Sequence, residues 1–411
     1  MHSSSHSPSG APTPIPGSRN LFLVLVACFG LMLAIGSATE AWAAPSPGPT
    51  DAFAAVPDPA IELSEAIAQA GPDKVFTVEH RVPLGQGRHL YVNETFTRES
   101  FLRFPRRAVL FLSGSAFRGN HWNIPVEGYD GPAMAARRGF FAYSVDYLGV
   151  GESTRPENGL DASLDANFEA MNTLLDDIRQ RRQVDAVDLA GAGYGGALAL
   201  LLGADDQKVR SVMMSAMIYD NLLAGPLADP NFVAFLESSP DGYVFLPGES
   251  SLVFANATPA AVVDYIVATQ GGFYPTPNFL VATGELPFFD AGVARVPGLV
   301  LAGAIDPLVG PDDMARLAAD YGTDGAQLVI NEQAGHSPRV QAPEIAAWFW
   351  QSYFDFVDPT SGMSAVQPSP VLDFDGGGNP PCDPMPCNGE FPAGIEFQVS
   401  AEDLRAGEGG R

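Results

Sequence analysis

Short continuous apolar runs recur along the chain and predict strands that are covered on both faces. A strand packed under helices on both sides has no solvent face, so its side chains do not alternate between apolar and polar. Such runs occupy 108–112, 140–145, 209–214, 298–302 and 326–330, and a further run begins at Val187. Ahead of them, residues 75–82 and 89–95 flank a glycine-containing turn and predict an antiparallel pair.

Amphipathic helix patterns separate these strands. The longest runs from Leu160 to Ile178 and repeats apolar residues at helical spacing. Shorter patterns cover 129–138, 311–319 and 343–356. Strands that alternate with helices through short connections predict an α/β fold with a doubly wound, mostly parallel sheet. We place this domain at residues 61–357.

Residues 218–290 interrupt the alternation and predict an inserted lid. The segment carries eleven aromatic residues from Phe232 to Phe289 and no basic residue. An insertion between two sheet strands is expected over the carboxyl ends of the strands, where α/β sheets bind ligands. With no cation nearby, an apolar, uncharged ligand or substrate would suit this segment best.

The two ends of the chain have their own signatures. Arg19 precedes an apolar run, and Ala41-Trp42-Ala43 forms a cleavage pattern, so residues 1–43 predict a signal peptide. The protein is then expected to be periplasmic or extracellular, or membrane-anchored if the signal is not cleaved. Residues 44–60 are rich in Pro and Ala and predict a linker.

The tail, residues 358–411, is rich in Pro and Gly and contains Cys382 and Cys387. Two cysteines in an exported chain predict a disulfide rather than a metal site, because the tail has no histidine and no third thiol.

Charge narrows the range of partners. The chain has 48 acidic and 22 basic residues, a formal net charge of −26. Such a surface repels phosphate backbones and anionic lipids, so nucleic acid is a poor partner, and no membrane partner is expected after signal cleavage. Composition does not determine the oligomeric state.

The segment 191–195, Gly-Ala-Gly-Tyr-Gly, carries the most informative pattern. It lies between an apolar strand and a helix pattern, as a nucleophile elbow G-x-S-x-G does, but glycine occupies the serine position. Three other motifs occur in a consistent order: a Ser-Gly turn at 112–115, an Asp-containing loop at 146–153, and the later residues Asp306 and His336.

Together these motifs resemble the α/β-hydrolase family in its esterase- and lipase-like form. The resemblance implies that His336 is the general base and that Asp306 orients it. It also implies an oxyanion hole formed by the N–H groups of Tyr194 and Ser115. Gly193 stands at the nucleophile position and supplies no attacking atom. The sequence shows no phosphate-cradling loop, metal cluster or dinucleotide fingerprint, so no metal or cofactor is expected.

Three functions remain open on this pattern. In the first interpretation, the protein is a non-catalytic hydrolase-fold protein that binds a small apolar ligand or a protein partner. Alternatively, it is an enzyme in which His336 and Asp306 act as a general base on water or on a substrate proton. In the third interpretation a displaced serine, with Ser215 as the main candidate, replaces the missing nucleophile. As a class, we assign it to the hydrolases acting on an ester or similar bond, with weak activity.

Overall fold

The structure is a computed structural model that describes residues 66–220, 230–252, 257–280, 289–322 and 324–358. The predicted signal peptide, the linker at 44–60 and the pair Cys382–Cys387 lie outside these residues and stay predictions. None of the described helices combines the length and apolar character needed to cross a membrane.

Buried apolar strands form the centre of the fold. The strands are β1 (Phe76–Gly85), β2 (Arg88–Phe96), β3 (Arg107–Leu112), β4 (Phe140–Val145), β5 (Val187–Ala192), β6 (Val209–Ser215), β7 (Tyr243–Leu246), β8 (Gly272–Pro275), β9 (Gly298–Gly303) and β10 (Gln327–Asn331). Eight of them form one sheet in the order β1-β2-β4-β3-β5-β6-β9-β10. The β1–β2 and β2–β4 pairs are antiparallel and the pairs from β4 to β10 are parallel.

Helices cover both faces of this sheet, which confirms the predicted doubly wound α/β fold. The helices are α1 (Arg98–Leu102), α2 (Gly131–Arg137), α3 (Leu164–Arg182), α4 (Tyr194–Leu202), α5 (Pro230–Glu237), α6 (Ala260–Gln270), α7 (Pro277–Leu280), α8 (Pro311–Asp320) and α9 (Pro343–Val357). Apolar residues of α3, α4 and α8 pack on one face, and those of α2 and α9 pack on the other. Successive β3 residues alternate between these two layers, so the strand has no polar face.

The long helix begins later than the apolar spacing predicts. Leu160 lies in a 3₁₀ turn, Gly159–Asp161, and its side chain is 54% exposed. Ser163 is the N-cap of α3, and its hydroxyl accepts a hydrogen bond of 3.2 Å from the Ala166 N–H. A helix starts where a capping side chain accepts hydrogen bonds from its first unpaired N–H groups. The Ser163 cap therefore sets the start of α3, although the apolar spacing extends back to Leu160.

The chain between β6 and β9 contains α5, the β7–β8 hairpin, α6 and α7. Its α6 end contacts the loop that follows β3. Gln270 accepts a hydrogen bond of 2.9 Å from the Arg118 N–H and donates one of 2.7 Å to Asn120. The segment predicted as a lid therefore packs on a loop at the carboxyl edge of the sheet, while its role as a lid stays a prediction.

A buried ion pair joins the first hairpin to α3. Glu94 on β2 accepts hydrogen bonds of 2.5 and 2.6 Å from Arg182, 2.5 Å from Tyr143 and 2.8 Å from His80. Glu94 and Arg182 are 0% and 4% exposed. Burial alone would raise the pKa of Glu94, but the Arg182 charge and the hydrogen bonds from Arg182 and His80 hold it well below its usual range.

Candidate active site

The strand registers bring the predicted site residues to one edge of the sheet. Leu112 at the end of β3 pairs with Gly191, and Ser215 at the end of β6 pairs with Ala192. The end of β10 likewise pairs with the end of β9. Because these strands are parallel, the loops that follow them leave the sheet on the same side. Those loops carry the Ser-Gly turn, Gly193, Asp306 and His336.

The chain turns sharply at Gly193, between β5 and α4. Its φ is +54° and its ψ is −120°, a backbone conformation that residues other than glycine rarely adopt. The Gly193 N–H donates to the Ser215 carbonyl at 2.9 Å. Its own carbonyl accepts from Gly196 and Ala197 at 2.9 and 3.1 Å, which starts the helix. The backbone thus forms a strand-turn-helix elbow.

A side chain at Gly193 would have room. A Cβ built there meets only the Ala216 carbonyl and the Gly114 Cα, both at 3.7 Å, which is ordinary van der Waals contact. The neighbouring glycines differ. A Cβ on Gly191 would lie 2.2 Å from the Gly195 carbonyl, and one on Gly195 would lie 2.2 Å from the Leu112 carbonyl. The flanking glycines are therefore required by close backbone approach, whereas at position 193 only the positive φ favours glycine.

We expect Gly195→Ala to destabilise the fold by about 3 kcal/mol or more, because its Cβ would displace the β3 backbone. Alanine's better helix propensity, about 1 kcal/mol, offsets only part of this. Gly193→Ala is the matched control, with an expected cost of about 1–2 kcal/mol from φ alone. Urea unfolding of both variants measures the difference, and equal costs would contradict this account of the elbow.

Asp306 and His336 form a hydrogen-bonded pair. The His336 Nδ1 lies 2.9 Å from one carboxylate oxygen of Asp306 and 3.2 Å from the other. Asp306 Oδ1 also accepts from the N–H groups of Leu308 at 2.8 Å and Val309 at 3.0 Å. These bonds orient the carboxylate, which is 4% exposed. With Nδ1–H donated to Asp306, Nε2 of His336 retains a lone pair for base chemistry.

The loops that carry this pair are bonded to each other. The Ile305 N–H donates to the Ala334 carbonyl at 3.1 Å. Gln341 accepts a hydrogen bond of 3.0 Å from the Gly335 N–H, directly before His336. A Cβ on Gly303 would lie 2.3 Å from the Ala334 carbonyl. Close packing of the two loops therefore fixes the imidazole relative to the carboxylate.

The two predicted oxyanion donors belong to different elements, Tyr194 to α4 and Ser115 to the loop that follows β3. Tyr194 is the first residue of α4, where an N–H has no partner within the helix. Its ring is buried, and its hydroxyl accepts a hydrogen bond of 3.1 Å from Asn167. Ser115 lies in a turn closed by a 3.2 Å bond from the Phe117 N–H to the Gly114 carbonyl. Within the described part of the chain, neither backbone N–H donates a hydrogen bond.

Comparison with known proteins identifies the family to which this fold belongs. A sequence profile described as the alpha/beta hydrolase family matches residues 109–348. The chain belongs to the alpha/beta hydrolase family. The match spans the sheet from β3, the elbow, and both loops that hold Asp306 and His336.

Solved structures with this fold include a hydrolase from Pseudomonas aeruginosa PA01, at 17% identity and a TM-score of 0.51, covering 68% of this chain and 98% of that one. An esterase from Exiguobacterium antarcticum has 15% identity and a TM-score of 0.50, covering 67% and 98%. At such identities the similarity shows the fold alone. A search of curated sequences found no match.

Ser215, the candidate replacement nucleophile, is buried at the end of β6. Its side chain is 1% exposed, and its Oγ makes no hydrogen bond. Ser215 is two residues from Met213, whose side chain packs in the α9 layer. Among the described residues no base is hydrogen-bonded to this hydroxyl, and its catalytic role stays a prediction.

Sequence reasoning missed a buried cation near the histidine loop. Arg339 follows His336 by three residues, is 3% exposed, and donates a hydrogen bond from Nη2 to Nδ1 of His121. His121 is 1% exposed and stacks on Phe117, with ring centroids 4.0 Å apart. No local pattern marks this arginine as buried, because its burial depends on contacts with a loop more than 200 residues earlier.

Proposed function

We propose that this protein hydrolyses an ester or similar acyl bond with water as the nucleophile and His336 as the general base. The observation that carries the proposal is the intact hydrogen-bonded pair of His336 and Asp306 beside an elbow whose central residue has no side chain. A carboxylate that holds a histidine in one tautomer leaves its Nε2 able to accept a proton, which is the requirement for a general base.

The proposed reaction takes place above the elbow. Nε2 of His336 accepts a proton from water, and the oxygen forms a bond to the acyl carbon. Asp306 stabilises the imidazolium that results. The N–H groups of Tyr194 and Ser115 would bind the developing oxyanion. The ester C–O bond then breaks, and the imidazolium returns its proton to the leaving oxygen. Without a serine no covalent acyl-enzyme forms, so we expect slow turnover.

The ligand's apolar part would face the inserted segment between β6 and β9. That segment carries aromatic residues and no cation, so binding there would depend on burial of apolar surface. Export to the periplasm or the extracellular medium is part of this proposal and rests on the signal pattern in residues 1–43.

A second candidate function is ligand or partner binding without catalysis. It is favoured by one observation, the absence of an attacking side-chain atom at Gly193 together with a Ser215 Oγ that has no base. In that case the Asp306–His336 pair would serve only to hold the two loops.

Assays of wild type, His336→Ala and Asp306→Asn with uncharged p-nitrophenyl esters separate the two functions. If water attacks with His336 as base, we expect His336→Ala to lower kcat/KM by about 10²–10⁴. Asp306→Asn should also lower it, because the imidazole tautomer is lost. His89→Ala, a β2 histidine bonded to Thr154, is the control and should match wild type. A wild-type rate equal to that of His336→Ala would overturn the hydrolytic proposal.

A further inference from the structure

Arg339 and His121 join two loops at the sheet edge that also carries the elbow. Arg339 lies in the 3₁₀ turn Pro338–Val340, directly after His336. His121 lies in the 3₁₀ turn Gly119–Trp122, which follows the loop with the predicted oxyanion donor Ser115. Ser113 donates a 3.0 Å hydrogen bond to the Arg118 carbonyl, which holds the two parts of that loop together. The pair is thus placed at the same sheet edge as the catalytic histidine.

Arg339 is a buried cation without a described carboxylate partner. Its side chain is 3% exposed, and its guanidinium lies over the Trp122 ring, 4.2 Å from the ring centre. Burial lowers its pKa to about 9, and no described carboxylate raises it again. The other buried arginine, Arg182, has Glu94 as its counterion. Burying an uncompensated charge is unfavourable. The chain has more acidic than basic residues, yet none of the described carboxylates pairs with Arg339.

Three buried polar atoms at Arg339 and its two neighbours, His121 and Trp122, lack a described partner, and each carries a proton to donate. Because an arginine can only donate, Nδ1 of His121 accepts its hydrogen bond and the imidazole proton lies on Nε2. That Nε2 is buried and has no partner. The Nε of Arg339 and the Nε1 of Trp122 are also buried without a partner. Burial and the Arg339 charge both lower the pKa of His121, which keeps it neutral.

We propose that Arg339 and His121 bind a carboxylate group of the ligand. A site with one positive charge and unpaired N–H donors is complementary to an anion with one negative charge. A carboxylate matches the planar guanidinium fork better than a halide does. A phosphate dianion would leave a second charge without compensation in a buried site.

The sequence predicted an uncharged ligand because the insertion contains no basic residue. Arg339 lies outside the insertion, on the histidine loop, and reaches the site only through the fold. The carboxylate subsite deepens the proposed function and rests on it for the identity of the ligand, since both use the same sheet edge. The ligand class is then an ester or related acyl compound that has an apolar body and one carboxylate.

Binding is tested without turnover, by thermal unfolding of the full protein in hexanoate, hexanamide and chloride at pH 7 and constant ionic strength. Hexanoate and hexanamide differ only in the charged group, and chloride is a small monoanion without the fork geometry. We expect Tm to rise with hexanoate concentration and to level off as the site fills, because a ligand that binds only the folded state stabilises it. Hexanamide and chloride should leave Tm unchanged.

Arg339→Met is the deciding variant. Hydrogen bonds to charged groups predict at least a tenfold weaker affinity for hexanoate. The ligand-free variant should also melt higher than ligand-free wild type, since it removes a buried uncompensated charge. A purely structural arginine would give the opposite sign. Arg295→Met, at an exposed arginine, is the matched control and should behave as wild type in both respects.

Arg339→Lys replaces the methionine variant if the latter does not fold. It keeps the charge but loses the planar fork, so hexanoate should again bind at least tenfold more weakly. The proposal is overturned if hexanoate leaves the Tm of wild type unchanged, if hexanamide or chloride gives an equal shift, or if Arg339→Met keeps the hexanoate response. Ester turnover enters none of these measurements, so failure of the hydrolytic mechanism and failure of the carboxylate subsite are distinguished.

Discussion

Gly193→Ser should convert this protein into a serine esterase with a rate about 10²–10⁴ above wild type. The elbow already has its backbone turn, and a Cβ at position 193 meets nothing closer than 3.7 Å. His336 and Asp306 are 2.9 Å apart in the orientation that a general base requires. The substitution therefore adds a hydroxyl at the position where the proposed mechanism has no side-chain nucleophile. The p-nitrophenyl butyrate rate measures the gain.

The gain has a stability cost that can be separated from it. A non-glycine residue at φ +54° costs about 1–2 kcal/mol. Gly193→Ala carries the same backbone cost without a hydroxyl, so it should be destabilised equally and gain no activity. The double variant Gly193→Ser/His336→Ala should lose the gain. Mass spectrometry of the acyl-enzyme provides a second readout, and a folded Gly193→Ser protein with neither turnover nor acylation would contradict the prediction.

Glu94→Gln should lower the free energy of unfolding by about 3–5 kcal/mol, because it leaves the Arg182 charge buried without a partner. The two side chains are 0% and 4% exposed, and their bonds are 2.5 and 2.6 Å long. Glutamine has nearly the same shape, so the loss reports charge and hydrogen bonding rather than packing. Glu169→Gln, on the exposed side of α3, is the matched control and should change stability by less than about 0.5 kcal/mol. Urea unfolding at pH 7 measures both.

The pH dependence of the same variant identifies the cause. The folded-state pKa of Glu94 lies well below its unfolded value of about 4.3. Its contribution to stability is therefore fully present above about pH 4.3 and is lost as pH falls towards the folded pKa. The stability gap between wild type and Glu94→Gln should narrow in this acid range. A gap that stays constant from pH 7 to pH 3 would show that charge is not the origin.

Sequence patterns predicted much of the fold because a strand buried on both faces appears in the sequence as a continuous apolar run. The apolar runs of β3, β4, β6 and β9 lie within a residue or two of the observed strands. Gly191 and Gly195 were also predicted as part of the elbow motif, although the close approach that excludes a side chain at Gly195 is to Leu112 on β3 and appears only in the fold. Leu160 shows the limit of this reasoning. Apolar spacing extended α3 to that residue, but the Ser163 cap decided where the helix begins.

Partners that are far apart along the chain could not be predicted. Nothing near Glu94 indicates that it meets Arg182, which lies 88 residues later, and nothing near His336 indicates that Arg339 reaches His121, 218 residues earlier. These contacts exist only after strands and loops are brought to common edges. Buried charges in particular have no local signature, because an isolated arginine or glutamate is usually exposed.

The sequence by itself determined the layer order, the elbow with glycine at its centre and the order of the acid and histidine along the chain. These follow from short-range rules on apolar spacing, glycine geometry and motif order. Only the tertiary structure decided that β2 pairs with β4, that Asp306 holds His336 at 2.9 Å, and that the histidine loop carries a buried cation without a described carboxylate partner. The physical reason is that hydrogen bonding and charge compensation depend on distances between atoms that chain connectivity leaves open.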